Sequence, residues 1–412
     1  MNQPSGTGLL LDCLTYTNLA QSAATLTQCS PDDWESLWEA AARHGLAPLL
    51  CYRLKEQDAL NLAPSRIADK LRNSLYLSTQ RNVHKFQELG GVLSAFNHAG
   101  IRLIPLKGAH LAALVYPDPA LRPMGDLDLL VPREQLEEGA EIITGLGYRA
   151  SRAYQVDDEC TRMQHLPPMN KDGHSTIEIH WAISKPHYPF MIDQAALWDS
   201  AVKTRITAQP AWVLSNENLL MHLALHTSYQ HHFNSGLKPF CDIAELLLHH
   251  REKIDWGRLT QDAKEWGLAK SLYLTLTMVE DLLQVNVPRA ALGALEPGDF
   301  NPEVVSVLRE HVLAGHPDLT INLAEIMDEA GSLDKVTRLW RRIFIPPETL
   351  AREYNVSPHS LRLYGYYLVR LKRVVQTHTG DAGRMLFGDR RTIVSARCQN
   401  EISALIKWME PL

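Results

Sequence analysis

A chain of 412 residues, 45% hydrophobic and 21% charged, has the length for two or three domains and a sizeable core. A formal net charge of -6 excludes a protein that coats nucleic acid through a broad basic face. No apolar stretch reaches the ~20 residues that span a bilayer. The first residues lack the basic start of a signal peptide. The six cysteines form no C-x-x-C, so a cytoplasmic chain with reduced thiols is expected.

Residues 1 to 99 read as an N-terminal helical region. In "SPDDWESLWEAAARHG", Ser30 is a candidate N-cap and Pro31 suits the first helical position. Trp34, Leu37, Trp38 and Ala41 fall on one face, and Gly45 is a plausible stop. A long helical pattern runs from Ser65 to about His98 and ends at Gly100. The texture then changes to a small α+β unit, 100 to 214. "IRLIP" reads as a strand, "LKGAHLAALVY" as a tight turn into a helix, and "DLDLLV" (126 to 131) as the next strand. Pro132 opens a helix, and "KDGH" is a hairpin turn between "TRMQHLPPMN" and "STIEIHWAI". From Asn216, a candidate cap, the pattern returns to helix, giving a C-terminal helical domain over 215 to 412. The expected fold is therefore α+β, a small mixed sheet flanked by N-terminal and C-terminal helical regions.

Strand side chains alternate between faces, so Asp126 and Asp128 point one way while Leu127 and Leu129 point into a core. Two neighbouring carboxylates repel unless something positive sits between them. Oxygen ligands suit Mg²⁺ or Mn²⁺. "TIEIHWAI" repeats the design, with Glu178 between Ile177 and Ile179 and His180 on the face of Glu178. Three acids on two strands of one small unit match the clamp used for in-line phosphoryl or nucleotidyl transfer.

On these residues the chain resembles the polymerase-β superfamily of nucleotidyltransferases, which carry a glycine turn, a D-h-D-h strand (h, apolar) and a third acid on a later strand. It is most similar to an uncharacterised bacterial nucleotidyltransferase family that reads L-K-G, Y-P, R-x-x-x-D-h-D-h-L-h and E-h-H-W. Here these are "LKG" (106 to 108), "VYP" (115 to 117), "RPMGDLDLLV" (122 to 131) and "EIHW" (178 to 181). The resemblance extends over about 30 to 375, taking in "GLKPFCDIAELL" and "RRIFIPPETLAREYNV". It implies that Asp126, Asp128 and Glu178 are the catalytic metal ligands. Gly108 would let the backbone approach nucleotide phosphates, since a Cβ would be in the way. The superfamily usually has Gly-Ser at that turn; here Ala109 follows Gly108. Lys107 and Arg122 are the candidates for the missing phosphate contact, and His180 is the candidate second-shell partner of Glu178. Lys238, Asp242 and Glu245 share one helix face. Lys238 then reaches phosphate and Asp242 the base or ribose, or the two form an i, i+4 surface pair.

The implied reaction moves a nucleotide from a nucleoside triphosphate, ATP by default, to an acceptor and releases pyrophosphate. The acceptor is open: small molecule, sugar, peptide or RNA, with no membrane and no extended nucleic-acid surface. Two alternatives stand beside it. One is a catalytically silent nucleotide-binding module, which the intact trio of acids argues against. The other is a toxin-like transferase acting on tRNA or protein, favoured only by the basic and aromatic tail "RLYGYYLVRLKRVV". The other histidines, including His222 and His226 one turn apart and the pair His231 and His232, read as packed or surface residues. No P-loop, G-x-G-x-x-G or G-x-S-x-G motif occurs.

Overall fold

Ser30 starts its helix as its chemistry requires. Its side chain accepts from the Asp33 N–H, Asp33 accepts from the Ser30 N–H, and Pro31 opens the first turn. The computed structural model describes residues 6–15, 24–314, 360, 365–367 and 401–411. Contacts divide the chain into two compact units, Met1–Gly315 with Met409–Leu412, and His316–Trp408. The elements named here all belong to the first. The late segment "RRIFIPPETLAREYNV" lies outside the described residues, as does the tail "RLYGYYLVRLKRVV" except Gly365 to Tyr367.

The N-terminal helices are α1 (Gly6–Leu14), α2 (Pro31–Arg43), α3 (Ala47–Glu56) and α4 (Ser65–Ala99). Helix α4 ends where Gly100 takes a left-handed conformation, φ 74°, with the Ile101 N–H reaching back to the Phe96 carbonyl at 3.0 Å. The sheet unit follows: β1 (Ile104–Pro105), α5 (Lys107–Leu114), β2 (Leu127–Leu130), α6 (Leu136–Gly145), β3 (Arg149–Ala150), β4 (Met169–Asn170) and β5 (Ile177–His180). A separate hairpin, β6 (Val202–Ile206) and β7 (Gln209–Val213), precedes the helices α7 (Asn216–Leu225), α8 (Lys238–His250), α9 (Trp256–Glu265) and α10 (Ala269–Leu283). The α+β class with a small mixed sheet and helical flanks is as the sequence implied.

Several local expectations shift. Strand β2 is shorter by one residue at each end than "DLDLLV", so Asp126 precedes the strand. Only Ile104 and Pro105 of "IRLIP" are strand. Pro132 leads first into a short 3₁₀ turn, Arg133–Gln135, because Pro fixes φ without committing the next residues to α. The cap of α7 is Ser215, whose hydroxyl takes the Asn218 N–H, and Asn216 is its first helical residue.

The five strands run in the order β1-β2-β5-β4-β3. Strands β2 and β5 are parallel; the other neighbours are antiparallel. One sheet face packs Leu127, Leu129, Ile177 and Ile179 against Leu89, Val92, Leu93 and Phe96 of α4 and Leu136 and Ile143 of α6. That burial holds β2 and β5 in one register, because a slip of one residue would turn the acids inward. Phe96 is 1% exposed and touches the space left by Gly139. Replacing Phe96→Ala is expected to lower stability by about 3–5 kcal/mol through lost burial and a cavity. Urea unfolding followed by circular dichroism measures it.

Candidate active site

The register sets Asp128 directly opposite Glu178 and Leu130 opposite His180. Asp128 is buried, at 4% exposure, while Glu178 is half-buried and Asp126 lies exposed. His180 Nε2 lies 2.9 Å from Asp128 Oδ1 and 3.5 Å from Glu178 Oε2. It thus reaches Glu178, the partner expected from the sequence, and more closely Asp128, because the shared strand face brings its ring across to the neighbouring strand. Lys107 Nζ donates to the same Asp128 Oδ1 at 2.9 Å.

The turn that delivers Lys107 is tied to β2 by the Leu106 N–H, which donates to the Asp128 carbonyl at 2.9 Å. Lys107 itself takes a left-handed φ of 43°, uncommon for a residue with a Cβ. Gly108 next to it is closely covered: a Cβ there would meet Arg122 Nη1 at 2.6 Å and Met124 Cγ at 3.2 Å. The glycine makes room for an arginine side chain.

Arg122 is held from below. Its Nε and Nη2 donate to Asp242 Oδ1 and Oδ2 at 3.2 and 2.9 Å, and Tyr116 Oη donates to Oδ1 at 2.9 Å. This bidentate pair joins the loop before β2 to α8. Asp242 is 2% exposed and its oxygens are taken, so it stands behind the site rather than in it. Its ion-pair partner is Arg122, so the surface pair with Lys238 does not form. Lys238 Nζ donates to the Pro123 carbonyl at 2.8 Å, and Glu245 binds Arg53 at 3.0 Å.

Lys107, Gly108, Arg122, Asp126, Asp128, Glu178 and Lys238 line one cavity of about 460 Å³. His180 lies beneath it. Sequence reasoning missed a further part of the lining, where Lys185, Tyr188, His226, Gln230 and His231 border the same space. His226 and His231 get there through a π-helical turn, His226–Gln230, that extends α7. No periodicity signals such a turn in advance, since it places residues five apart in register.

Burial pushes the Asp128 carboxyl up, but the His180 hydrogen bond and the Lys107 ammonium outweigh it and hold the group well below the usual carboxylate range. Asp126 moves the other way, raised by the surrounding protein and by the charge of Asp128. Burial pushes His180 down, yet its bonds to Asp128 and Glu178 win and raise it. The His180 bond lowers Glu178. Burial, with Arg122 nearby, lowers Lys238 to about 8.

The donor chemistry suits a divalent cation. Asp128, Glu178 and His180 offer ligand atoms within 4.8 Å of one another, and Asp128 Oδ1 already draws two positive donors. Asp126 is outside that group, though it lines the same cavity.

Two outcomes follow from these pairs. Arg122→Met is expected to cost about 3–5 kcal/mol by leaving Asp242 charged, buried and unpaired, and Arg122→Met with Asp242→Leu to recover most of it. Denaturant unfolding of both variants tests this. His180, with a raised pKa, stabilises the fold below its unfolded value near 6.5, and that contribution is lost as pH rises through its folded value. The stability difference between wild type and His180→Gln is therefore expected to be largest near pH 5.5, about 1.5–3 kcal/mol for a charge-assisted bond, and to shrink toward pH 9. Melting temperatures across that range measure it.

No curated protein matches the chain. Among solved structures, the antibiotic-resistance factor ANT(2'')-Ia matches at 16% identity and a TM-score of 0.31, over 41% of this chain and 85% of that one. The profile of a family described as "Uncharacterised nucleotidyltransferase" matches residues 30–284, from the capped helix α2 to the end of α10. The chain belongs to that nucleotidyltransferase family.

Proposed function

We propose that the protein is a metal-dependent enzyme that transfers a nucleoside monophosphate from a nucleoside triphosphate, ATP by default, to an acceptor hydroxyl. The reading rests on one observation above the others: the parallel register that sets Asp128 opposite Glu178 at the edge of a cavity also lined by Lys107 and Lys238. The acceptor oxygen bonds to the α-phosphorus, the bond from that phosphorus to the bridging oxygen breaks, and pyrophosphate leaves with the electron pair. The hydroxyl proton goes to water.

Asp126, Asp128 and Glu178 would hold Mg²⁺ or Mn²⁺, which supplies Lewis-acid polarisation and charge neutralisation at the phosphates. His180 fixes the Asp128 carboxylate from beneath. Lys107, paired with Asp128, is a positive charge that a phosphate oxygen can share. Lys238, its pKa lowered to about 8 by burial and its ammonium anchored on the Pro123 carbonyl, borders the same space. Arg122, locked to Asp242, acts by holding the wall at Gly108 in place. Among the described residues no helix is long and apolar enough to cross a membrane. The tail on which a toxin-like reading would stand lies almost wholly outside the described residues.

The test incubates the protein with each α-labelled nucleoside triphosphate, Mg²⁺ or Mn²⁺, and fractions of a lysate as acceptor source. Label transfer with pyrophosphate release is expected, reduced at least about 100-fold by Asp128→Asn. Metal-independent transfer, or none while nucleotide binds, would overturn the enzyme reading. Equal binding of the Mg²⁺ nucleotide by wild type and by Asp126→Ala/Asp128→Ala would remove the metal assignment.

A further inference from the structure

The wall that the end of α7 contributes to the cavity is built from strained backbone. The π turn is closed by the His231 N–H donating to the His226 carbonyl at 3.1 Å, and the same two residues pair through their rings, with Nε2 atoms 3.1 Å apart. The next two residues, His232 and Phe233, have φ of 50° and 58°, and Gly236 follows at 65°. Consecutive non-glycine residues in the left-handed region cost of order 1–3 kcal/mol each and persist where the surroundings over-determine them. Those surroundings are present. Gln230 donates to the Ile183 carbonyl at 2.7 Å, Tyr229 to Glu410 at 2.8 Å, and the Leu237 N–H to His44 Nδ1 at 3.3 Å. A regular continuation of α7 would not bring His226 and His231 together, since an α-helix sets five-apart residues on different faces.

The chemistry of this wall is one-sided. Asp126, Asp128 and Glu178, the only carboxylates lining the cavity among the described residues, stand on the sheet side. The same cavity is lined, from other elements, by Lys185, Tyr188, Gln230 and the two histidines. Lys185 has no carboxylate partner among the described residues; its ammonium sits 5.6 Å from the centre of the Tyr188 ring. Burial and the nearby Lys107 hold His226 neutral, so its ring nitrogens serve as hydrogen-bond partners rather than as a charge. On these residues themselves a cation would meet the Lys185 ammonium and no acid, whereas an anion would meet that positive charge and the N–H that the paired imidazoles leave unshared.

We infer that this wall is the acceptor subsite and that the acceptor is an anionic alcohol, one bearing a phosphate or a carboxylate beside its reacting hydroxyl. Lys185 takes the anion, and the His226–His231 pair and Tyr188 orient the alcohol toward the carboxylates. The inference rests on the nucleotidyltransferase reading for the word acceptor, though the preference for anions stands on the wall alone.

The experiment uses the full chain with Mg²⁺ and saturating α,β-methylene-ATP, which occupies the triphosphate positions without reacting. Glycerol 3-phosphate, glycerate, glycerol and ethanolamine are then titrated by saturation-transfer NMR, so that the phosphate, carboxylate, neutral and cationic arms are separate. The two anions are expected to bind at least tenfold more tightly than glycerol or ethanolamine. Lys185→Glu should abolish that preference and favour ethanolamine, and Lys185→Arg should retain it. His231→Gln should weaken the anions severalfold. Ethanolamine binding wild type as well as the anions do, or anion affinity unmoved by both Lys185→Glu and His231→Gln, would overturn the inference. Binding of the ATP analogue is recorded separately. Its failure would sink the nucleotidyltransferase reading, while a Lys185-dependent anion preference in the analogue-free protein would still uphold the subsite.

Discussion

The structure around the cavity depends on one buried charge, the carboxylate of Asp128. Removing such a group from water carries a penalty of several kcal/mol even after relaxation. It is tolerated because Lys107 and His180 both reach the same oxygen. That demand explains features otherwise unconnected. Lys107 must leave β1 in a left-handed conformation to present its ammonium. Leu106 must bond the Asp128 carbonyl to hold the turn against β2. Strand β5 must run parallel to β2, so that His180, two residues after Glu178, arrives beneath Asp128. The same demand makes the centre receptive: Asp128 stays charged, so a positive group that displaces Lys107 finds an acid ready to hold it.

A second buried pair carries this arrangement into the helical part of the unit. Arg122 is gripped by Asp242 from α8, with Tyr116 on the same oxygen, so the loop before β2 is fixed at two points. Gly108 packs on the arginine, and Lys238, one turn before Asp242, bonds the residue after it. The Lys107–Gly108 turn therefore rests on α8 through Arg122 and on β2 through Leu106. A shift of α8 would be felt at the turn, since cores transmit displacement rather than absorb it.

Whatever rested on local periodicity was legible in the sequence. Alternation sent Leu127 and Leu129 to the core and Asp128 and Glu178 to the opposite face, and Ser30 and Gly100 ended their helices as capping chemistry requires. At the start of α7 both Ser215 and Asn216 are capping types, and only the hydrogen bond to Asn218 separates them. Pairings across long separations were hidden. Asp242 read as a contact to base or ribose, or as the pair of Lys238 one turn away, but a buried acid takes the partner that desolvates with it, and that is Arg122, 120 residues earlier. His180 was placed on the right face and beside Glu178, but its shorter bond to Asp128 on the neighbouring strand was hidden, because strand alternation gives a side and not a distance. The histidine wall was invisible, since a π turn breaks the period by which helical faces are read.

The two sides of the cavity are thus made by different means. The carboxylate side is regular: two short parallel strands whose register is fixed by apolar burial, so its geometry follows from the core. The histidine side is irregular: a π turn, two left-handed residues and a left-handed glycine, held by bonds to Ile183, Glu410 and His44. A site for phosphates and a cation needs fixed oxygens at fixed distances, which a strand pair provides at little conformational cost. A site that selects one acceptor needs side chains at positions that no regular element offers, and backbone strain is the means of reaching them. Strain on one side and register on the other is the division that the inferred acceptor subsite requires, a reaction common to a family on regular strands and a particular acceptor on an irregular turn.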